Sequence, residues 1–264
     1  MGRKGEKPKG LGISLTEFFL TSLLLLVFVV GCGRTEGAIK IVAASDLQPA
    51  FEEFGKIFKQ QTGIKPIFIF GSSGQLAEQV LKGAEVDLFA SADEGYVDKV
   101  ISQGRGSEDT RRLYALGRLA VVSGNDDMKP PSVEGLGNAS INKIAIANPE
   151  HAPYGRAARE ALKNTGDWDK VRPKLVLGEN ARQTFQYAET GNVDAAIVPL
   201  SLALSSKQPY GLVPKELHSP ISQTLVVIKG SREQEASRFV SLLISPEGDQ
   251  IMKKYGFDRP DAEK

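Results

Sequence analysis

Residues 39–58 read IKIVAASDLQPAFEEFGKIF. Ile39, Ile41, Val42, Ala43 and Ala44 form a short apolar run broken by Lys40 alone, which suits a buried strand. Ser45 and Asp46 follow, with Pro49 just behind them, and these are helix-start signals. Asp46 is read here as a helix cap turned away from any ligand. Phe51, Phe54, Ile57 and Phe58 then recur at spacings of three and four, so they share one helical face. Gly63 is the expected stop. The stretch therefore describes a strand that ends on a small hydroxylic residue at the mouth of a helix.

The same unit recurs downstream. Residues 65–70 form a second strand, Gly71-Ser72-Ser73-Gly74 a turn, and 75–82 a helix closed by Gly83. Residues 86–90 form a third strand, which leads through Ser91-Ala92-Asp93 into a helix over 94–102. Residues 113–123 suit a strand pair or crossing strand, and 125–137, with Pro130 and Pro131, a surface loop. The alternation then resumes. Strands over 143–147, 174–177 and 194–198 each precede a turn and helix, and a late strand over 223–228 precedes closing helices over 233–245 and 246–254. Alternating strands and helices specify an α/β architecture. The late strand is expected to rejoin the first half, giving two lobes joined by crossing strands: residues 32–116 with 223–264, and residues 117–222. Ligands of open α/β sheets sit beyond the carboxyl ends of the strands. The candidate site is therefore the set of strand-to-helix turns, in a cleft between lobes able to hinge.

The front of the chain reads differently. Arg3, Lys4, Lys7 and Lys9 precede an apolar run over 18–30, interrupted by Thr21 and Ser22. That run is short for a membrane span and suits the core of a signal peptide over 1–31. It ends at Val29-Val30-Gly31-Cys32. Small residues before a cysteine suit lipoprotein processing, so Cys32 is the expected lipidation site, tying the exported protein to a membrane surface. Cys32 is the single cysteine of the chain, which excludes an intrachain disulfide and any cysteine-rich metal site. The remaining length of about 230 residues is enough for two lobes. Net charge is +1, so there is no basic field for nucleic acid, and an anion must be attracted by local geometry.

The turns could supply that geometry. The first turn of a helix leaves N–H groups without intrahelical partners, and the helix dipole makes that end positive. Several such ends in one cleft bind an anion without lysine or arginine. Ser45 and Ser73 would add hydroxyl donors. Taken singly, Ser45 also suits a plain helix cap and Gly71–Gly74 a flexible turn; repetition at successive strand ends is what favours a site. Among these residues are no Gly-x-Ser-x-Gly elbow, phosphate loop or His-Glu-x-x-His helix, and His151 and His218 are expected in loops away from Ser73. The chain is therefore not expected to be an enzyme.

At these same turns the chain resembles the ModA family, the molybdate-binding periplasmic components of ABC transporters, which have the type II periplasmic-binding fold. The resemblance is carried by Val42-Ala43-Ala44-Ser45, Phe70-Gly71-Ser72-Ser73-Gly74 and Asp87-Leu88-Phe89-Ala90-Ser91-Ala92-Asp93. Further on it is carried by Asn148-Pro149-Glu150-His151-Ala152-Pro153-Tyr154-Gly155 and Tyr255-Gly256-Phe257. It implies a monomeric, extracytoplasmic, cofactor-free protein that captures molybdate or tungstate and delivers it to the permease of an ABC importer. It also implies that the anion is held by Ser45, Ser73 and the main-chain N–H groups of Tyr154 and Ala181, with no direct protein–metal bond. Where many members carry a tyrosine hydroxyl donor this chain has Pro199. Tyr154, Ser201 or a water would have to replace that donor. Failing that, the ligand could be another oxyanion, such as sulfate or a phosphonate.

Overall fold

The computed structural model describes Met1, Gly2, Gly5 and residues 37–124, 130–206, 208–230 and 232–260. The expected signal segment over 1–31 and Cys32 lie outside the described residues apart from Met1, Gly2 and Gly5, as does part of the expected loop, 125–129.

Strand β1 (Ala38–Ala44) runs through a 3-10 turn (Ser45–Leu47) into helix α1 (Gln48–Thr62). Then come β2 (Lys65–Gly71), α2 (Ser73–Leu81), β3 (Leu88–Ser91) and α3 (Glu94–Ser102). Two strands, β4 (Arg112–Gly117) and β5 (Leu119–Ser123), follow with only Arg118 between them. The chain continues as β6 (Ile144–Ala147), α4 (Pro153–Asn164), α5 (Trp168–Val171) and β7 (Leu175–Gly178). It ends as α6 (Ala181–Glu189), β8 (Ala195–Pro199), α7 (Leu200–Ser205), β9 (Tyr210–Leu212), β10 (Ile221–Val227), α8 (Glu233–Leu243) and α9 (Pro246–Lys254).

The strands form two five-stranded sheets of the same plan, β2-β1-β3-β10-β4 and β7-β6-β8-β5-β9. In the first, β1 is parallel to β2 and β3, and β10 is antiparallel to β3 and β4. In the second, β6 is parallel to β7 and β8, and β5 is antiparallel to β8 and β9. Helices cover both sheets, giving two α/β lobes within the compact unit Glu36–Lys264. The lobes meet where β4 passes into β5 and where the chain returns into β10.

The first lobe shows why these residues fold this way. The apolar stripe of α1 buries Phe51, Phe54 and Phe58, all of which meet the ring of Phe239 edge-on at centroid separations of 5.6, 5.0 and 5.2 Å. Gly55 lets α1 lie close on β2, since a Cβ there would stand 2.7 Å from the Phe68 ring. Gly63 ends the helix in the left-handed region, φ 73°, and its N–H caps the Lys59 carbonyl.

Two expectations need correction. Neither Ser45 nor Asp46 caps α1: the cap position is Leu47, and no side chain bonds the first turn. The short edge strand β9 was not anticipated; it has three residues, and its apolar Tyr210 and Leu212 face solvent at 40% and 53% exposure, the reverse of a core-facing strand pattern.

Candidate functional site

Parallel pairing of β1 with β2 sets Ala44 opposite Gly71, so the turns carrying Ser45 and Ser73 leave neighbouring strands at the same end of one sheet. Both serines are buried, at 3% and 0% exposure. Each hydroxyl oxygen accepts a main-chain N–H: Ser45 from Arg182 at 3.3 Å, and Ser73 from Ala92 at 3.1 Å. A hydroxyl whose oxygen already accepts keeps its own proton to donate. Both serines are thus oriented as donors.

The second lobe brings two more helix mouths. Tyr154 stands at the second position of α4, after Pro153, and Ala181 at the first position of α6. Main-chain N–H groups at such positions have no intrahelical acceptor. The mouth of α6 touches the Ser45 turn through Arg182, whose side chain turns away to Glu189 at 3.0 Å. The mouth of α2 touches the turn before α4, with Gly74 N–H donating to the His151 carbonyl at 3.0 Å. Four first turns from both lobes therefore converge, each presenting the positive end of its dipole.

Pro199 closes β8 and precedes α7. It offers no N–H and no hydroxyl, and neither side chain expected to compensate is available. Ser201 Oγ donates to the Asp46 carbonyl oxygen at 2.7 Å. The Tyr154 hydroxyl bonds the Asp46 carboxyl and lies 3.3 Å from Gln223 Nε2.

Asp46 is the second correction at this site. It is 1% exposed and faces inward, accepting from Gln223 Nε2 at 2.9 Å and from the Tyr154 hydroxyl. Burial pushes its pKa up from 3.8 to about 7, against the opposing effect of the hydrogen bonds from Tyr154, main chain and Gln223. The same burial, reinforced by the nearby Asp46 charge, raises the phenols of Tyr154 and Tyr114 well above their ordinary value. Gly117 makes room for this cluster, because a Cβ there would fall 2.1 Å from Tyr154 Oη. Gln223, Tyr114 and Gly117 were not singled out from sequence. A run of three polar residues, Ser222-Gln223-Thr224, at the start of an apolar closing strand was the available signal.

Around the rim the lobes are tied by polar contacts. Gln75 Nε2 donates to Glu179 at 2.9 Å, Arg156 pairs with Asp93, and Arg156 also donates to the Tyr96 hydroxyl at 3.0 Å. His151, expected away from the serine turns, lies against one of them: its Nδ1 is 2.8 Å from Ser72 Oγ, with Glu179 3.6 Å from Nε2. Its partner is Ser72, whereas Ser73 is bonded to Ala92.

The model of the bacterial extracellular solute-binding proteins matches residues 39–258. The molybdate-binding protein ModA of Rhodobacter capsulatus is 32% identical over 242 residues, 90% of this chain and 94% of the relative. The chain belongs to the ModA family of bacterial extracellular solute-binding proteins. YvgL of Bacillus subtilis, provisionally named an ABC transporter substrate-binding lipoprotein, is 35% identical over 255 residues, 91% of this chain and 97% of the relative. The periplasmic molybdate-binding protein of Azotobacter vinelandii superposes with a TM-score of 0.79 at 29% identity, covering 84% of this chain and 99% of that one. A ModA-family chain is a solute-binding component of transport, not an enzyme, so the Ser72–His151 contact belongs to the closed cleft rather than to a hydrolase.

Proposed function

We propose that this ModA-family chain captures molybdate, or tungstate, between its lobes and delivers it to the permease of an ABC importer. It acts as a monomer, held outside the cytoplasmic membrane by a lipid on Cys32. The lobes divide at residues 32–116 with 223–264 and 117–222. Ser45 and Ser73 donate hydroxyl protons, and Tyr154 and Ala181 donate main-chain N–H groups to the anion oxygens. The observation that carries this reading is the pair of buried serines, each already accepting an N–H and so left to donate. A donor-only lining suits a fully ionised tetrahedral dianion, which has no proton to give. Each such bond to a charged acceptor contributes about 1.5–3 kcal/mol, so four or five support micromolar or tighter capture after the costs of closure.

Pro199 motivates a second reading, in which sulfate or a phosphonate is the guest. With Ser201 and Tyr154 hydroxyls engaged by Asp46, the donor set is one smaller than in family members with a tyrosine there. Titration calorimetry with molybdate, tungstate, sulfate and phosphate at equal ionic strength decides between them. Saturable binding of molybdate and tungstate, with sulfate at least tenfold weaker, is expected. Sulfate binding that tungstate fails to displace favours the second reading, and no binding of any of the four, nor of a simple phosphonate such as methylphosphonate, refutes both.

A further inference from the structure

Asp46 is the one fully buried carboxylic acid among the described residues, and no cation pairs with it there. Its surroundings come from both lobes. Tyr154 on α4 and Gln223 on β10 bond the carboxyl, and Ser201 on α7 bonds its carbonyl. Two of these three belong to elements of the second sheet's lobe, so the burial of Asp46 depends on the cleft being shut. Opening the lobes would return the carboxyl to water and to ionisation in the ordinary carboxylate range. Closing them on a dianion brings a carboxyl next to Ser45, one of the proposed anion donors, with nothing cationic in between.

We propose that closure takes up one proton, held on Asp46, so that the oxyanion is bound opposite a neutral carboxyl. The inference rests on the oxyanion reading above and adds a stoichiometric proton to it. The proton comes from the buffer on closure and returns to it on release, and no bond other than O–H forms or breaks. The cluster has a place for it. Gln223 Oε1 is buried without a partner, while its Nε2 faces Asp46 and Tyr154. Turning the amide over would let Oε1 accept from a protonated Asp46, and the Tyr154 hydroxyl could still donate to the other carboxyl oxygen.

The groups around Asp46 leave it as the site of uptake. From α4 and β4 it meets Tyr154 and Tyr114, phenols raised by burial and by the Asp46 charge, which stay protonated near neutrality. From β10 it meets Gln223, and from α7 Ser201, neither of which titrates there. On α6, Arg182 sends its guanidinium to Glu189, and on α1, Glu53 is engaged by Lys254 and Tyr255. His151 lies at the rim, against Ser72 and Glu179.

Direction follows from the burial effect. The closed form holds Asp46 at about 7, against an ordinary value near 3.8. Over the interval between them the closed form carries a proton that the open form lacks, so affinity falls as pH rises. A bound dianion moves the upper limit higher still, so the effect persists past neutrality.

The test is calorimetric titration of the purified protein with molybdate from pH 6 to 8, in buffers of differing ionisation enthalpy. Wild type is expected to take up close to one proton per anion at the acidic end and to lose affinity several-fold per pH unit, tenfold being the limit for one proton. Asp46→Asn is expected to flatten the profile to within about twofold and abolish the uptake. A wild type that binds molybdate with no proton uptake overturns this inference and leaves the oxyanion reading standing. An Asp46→Asn protein that keeps the full slope also overturns it, placing the uptake on another group. A wild type that binds none of the oxyanions at any pH overturns both readings. If Asp46→Asn does not fold, the wild-type proton count with His151→Gln as control still decides: uptake surviving in His151→Gln supports Asp46, and its loss overturns the inference.

Discussion

Ser73 shows how much one hydroxyl carries at the candidate site. It is fully buried, its oxygen takes the Ala92 N–H, and its own proton remains free to donate. Ser73→Ala removes a charge-assisted donor and strands the Ala92 N–H as well. Affinity for molybdate is expected to fall about tenfold or more, with a loss of stability of about 1–2 kcal/mol. Calorimetry and urea unfolding measure the two separately, and an unchanged affinity would exclude Ser73 from the site. Ser45 and Ser73 were legible in the sequence because a small hydroxylic residue between an apolar strand and a helical pattern is a local signal. Asp46 was misread for the same reason. Asp ahead of a proline-marked helix is locally a cap, and its burial under Tyr154 and Ser201 is a fact of distant chain that no local pattern records. The inward carboxyl also reverses the usual sign for an acid. Because its folded pKa is raised, its contribution to stability is greatest below about pH 4 and declines as pH rises towards 7.

Among the elements, α4 is held by a close backbone approach. A Cβ on Gly155 would stand 2.0 Å from the Ala147 carbonyl oxygen, so the helix begins pressed against the end of β6. That approach fixes where the Tyr154 N–H points. Gly155→Ala meets backbone rather than a yielding side chain, so the first turn of α4 must lift. Expected consequences are a destabilisation of about 1–3 kcal/mol and an affinity loss larger than that of Ser73→Ala, since Tyr154 moves with the turn. Thermal unfolding and calorimetry on the same preparation check both, and an alanine protein with wild-type affinity would show that the turn does not position a donor. Most elements were predictable because apolar runs, turn residues and helical spacing are properties of a dozen neighbouring residues. β9 escaped because three residues on a sheet edge, with Tyr210 and Leu212 exposed, need no pattern, and 113–123 stayed open between a strand pair and one crossing strand because a single residue, Arg118, separates β4 from β5.

The molecule as a whole is two copies of one sheet plan whose strand ends face each other, and its closed form is held at the rim as well as at the centre. Arg156 on α4 pairs with Asp93, donates to Tyr96, and has its guanidinium carbon 5.3 Å from that ring's centroid, all across the cleft. The side chains of Arg156 and Asp93 are each about a third exposed, so solvent screens the pair and its worth is modest, about 0.5–1 kcal/mol. None of this was readable from sequence, because the start of α3 and residues in α4 meet only once both lobes have folded and come together. Because the contact bridges the two lobes and would break if they separated, its removal should act on the opening equilibrium rather than on the anion contacts. Arg156→Ala is therefore expected to weaken molybdate binding about two- to fivefold, mainly through faster release, with little change in unfolding of the ligand-free protein. Stopped-flow dissociation set beside calorimetry distinguishes the cases. A slower association with unchanged release would place Arg156 in steering of the anion instead of closure of the lobes.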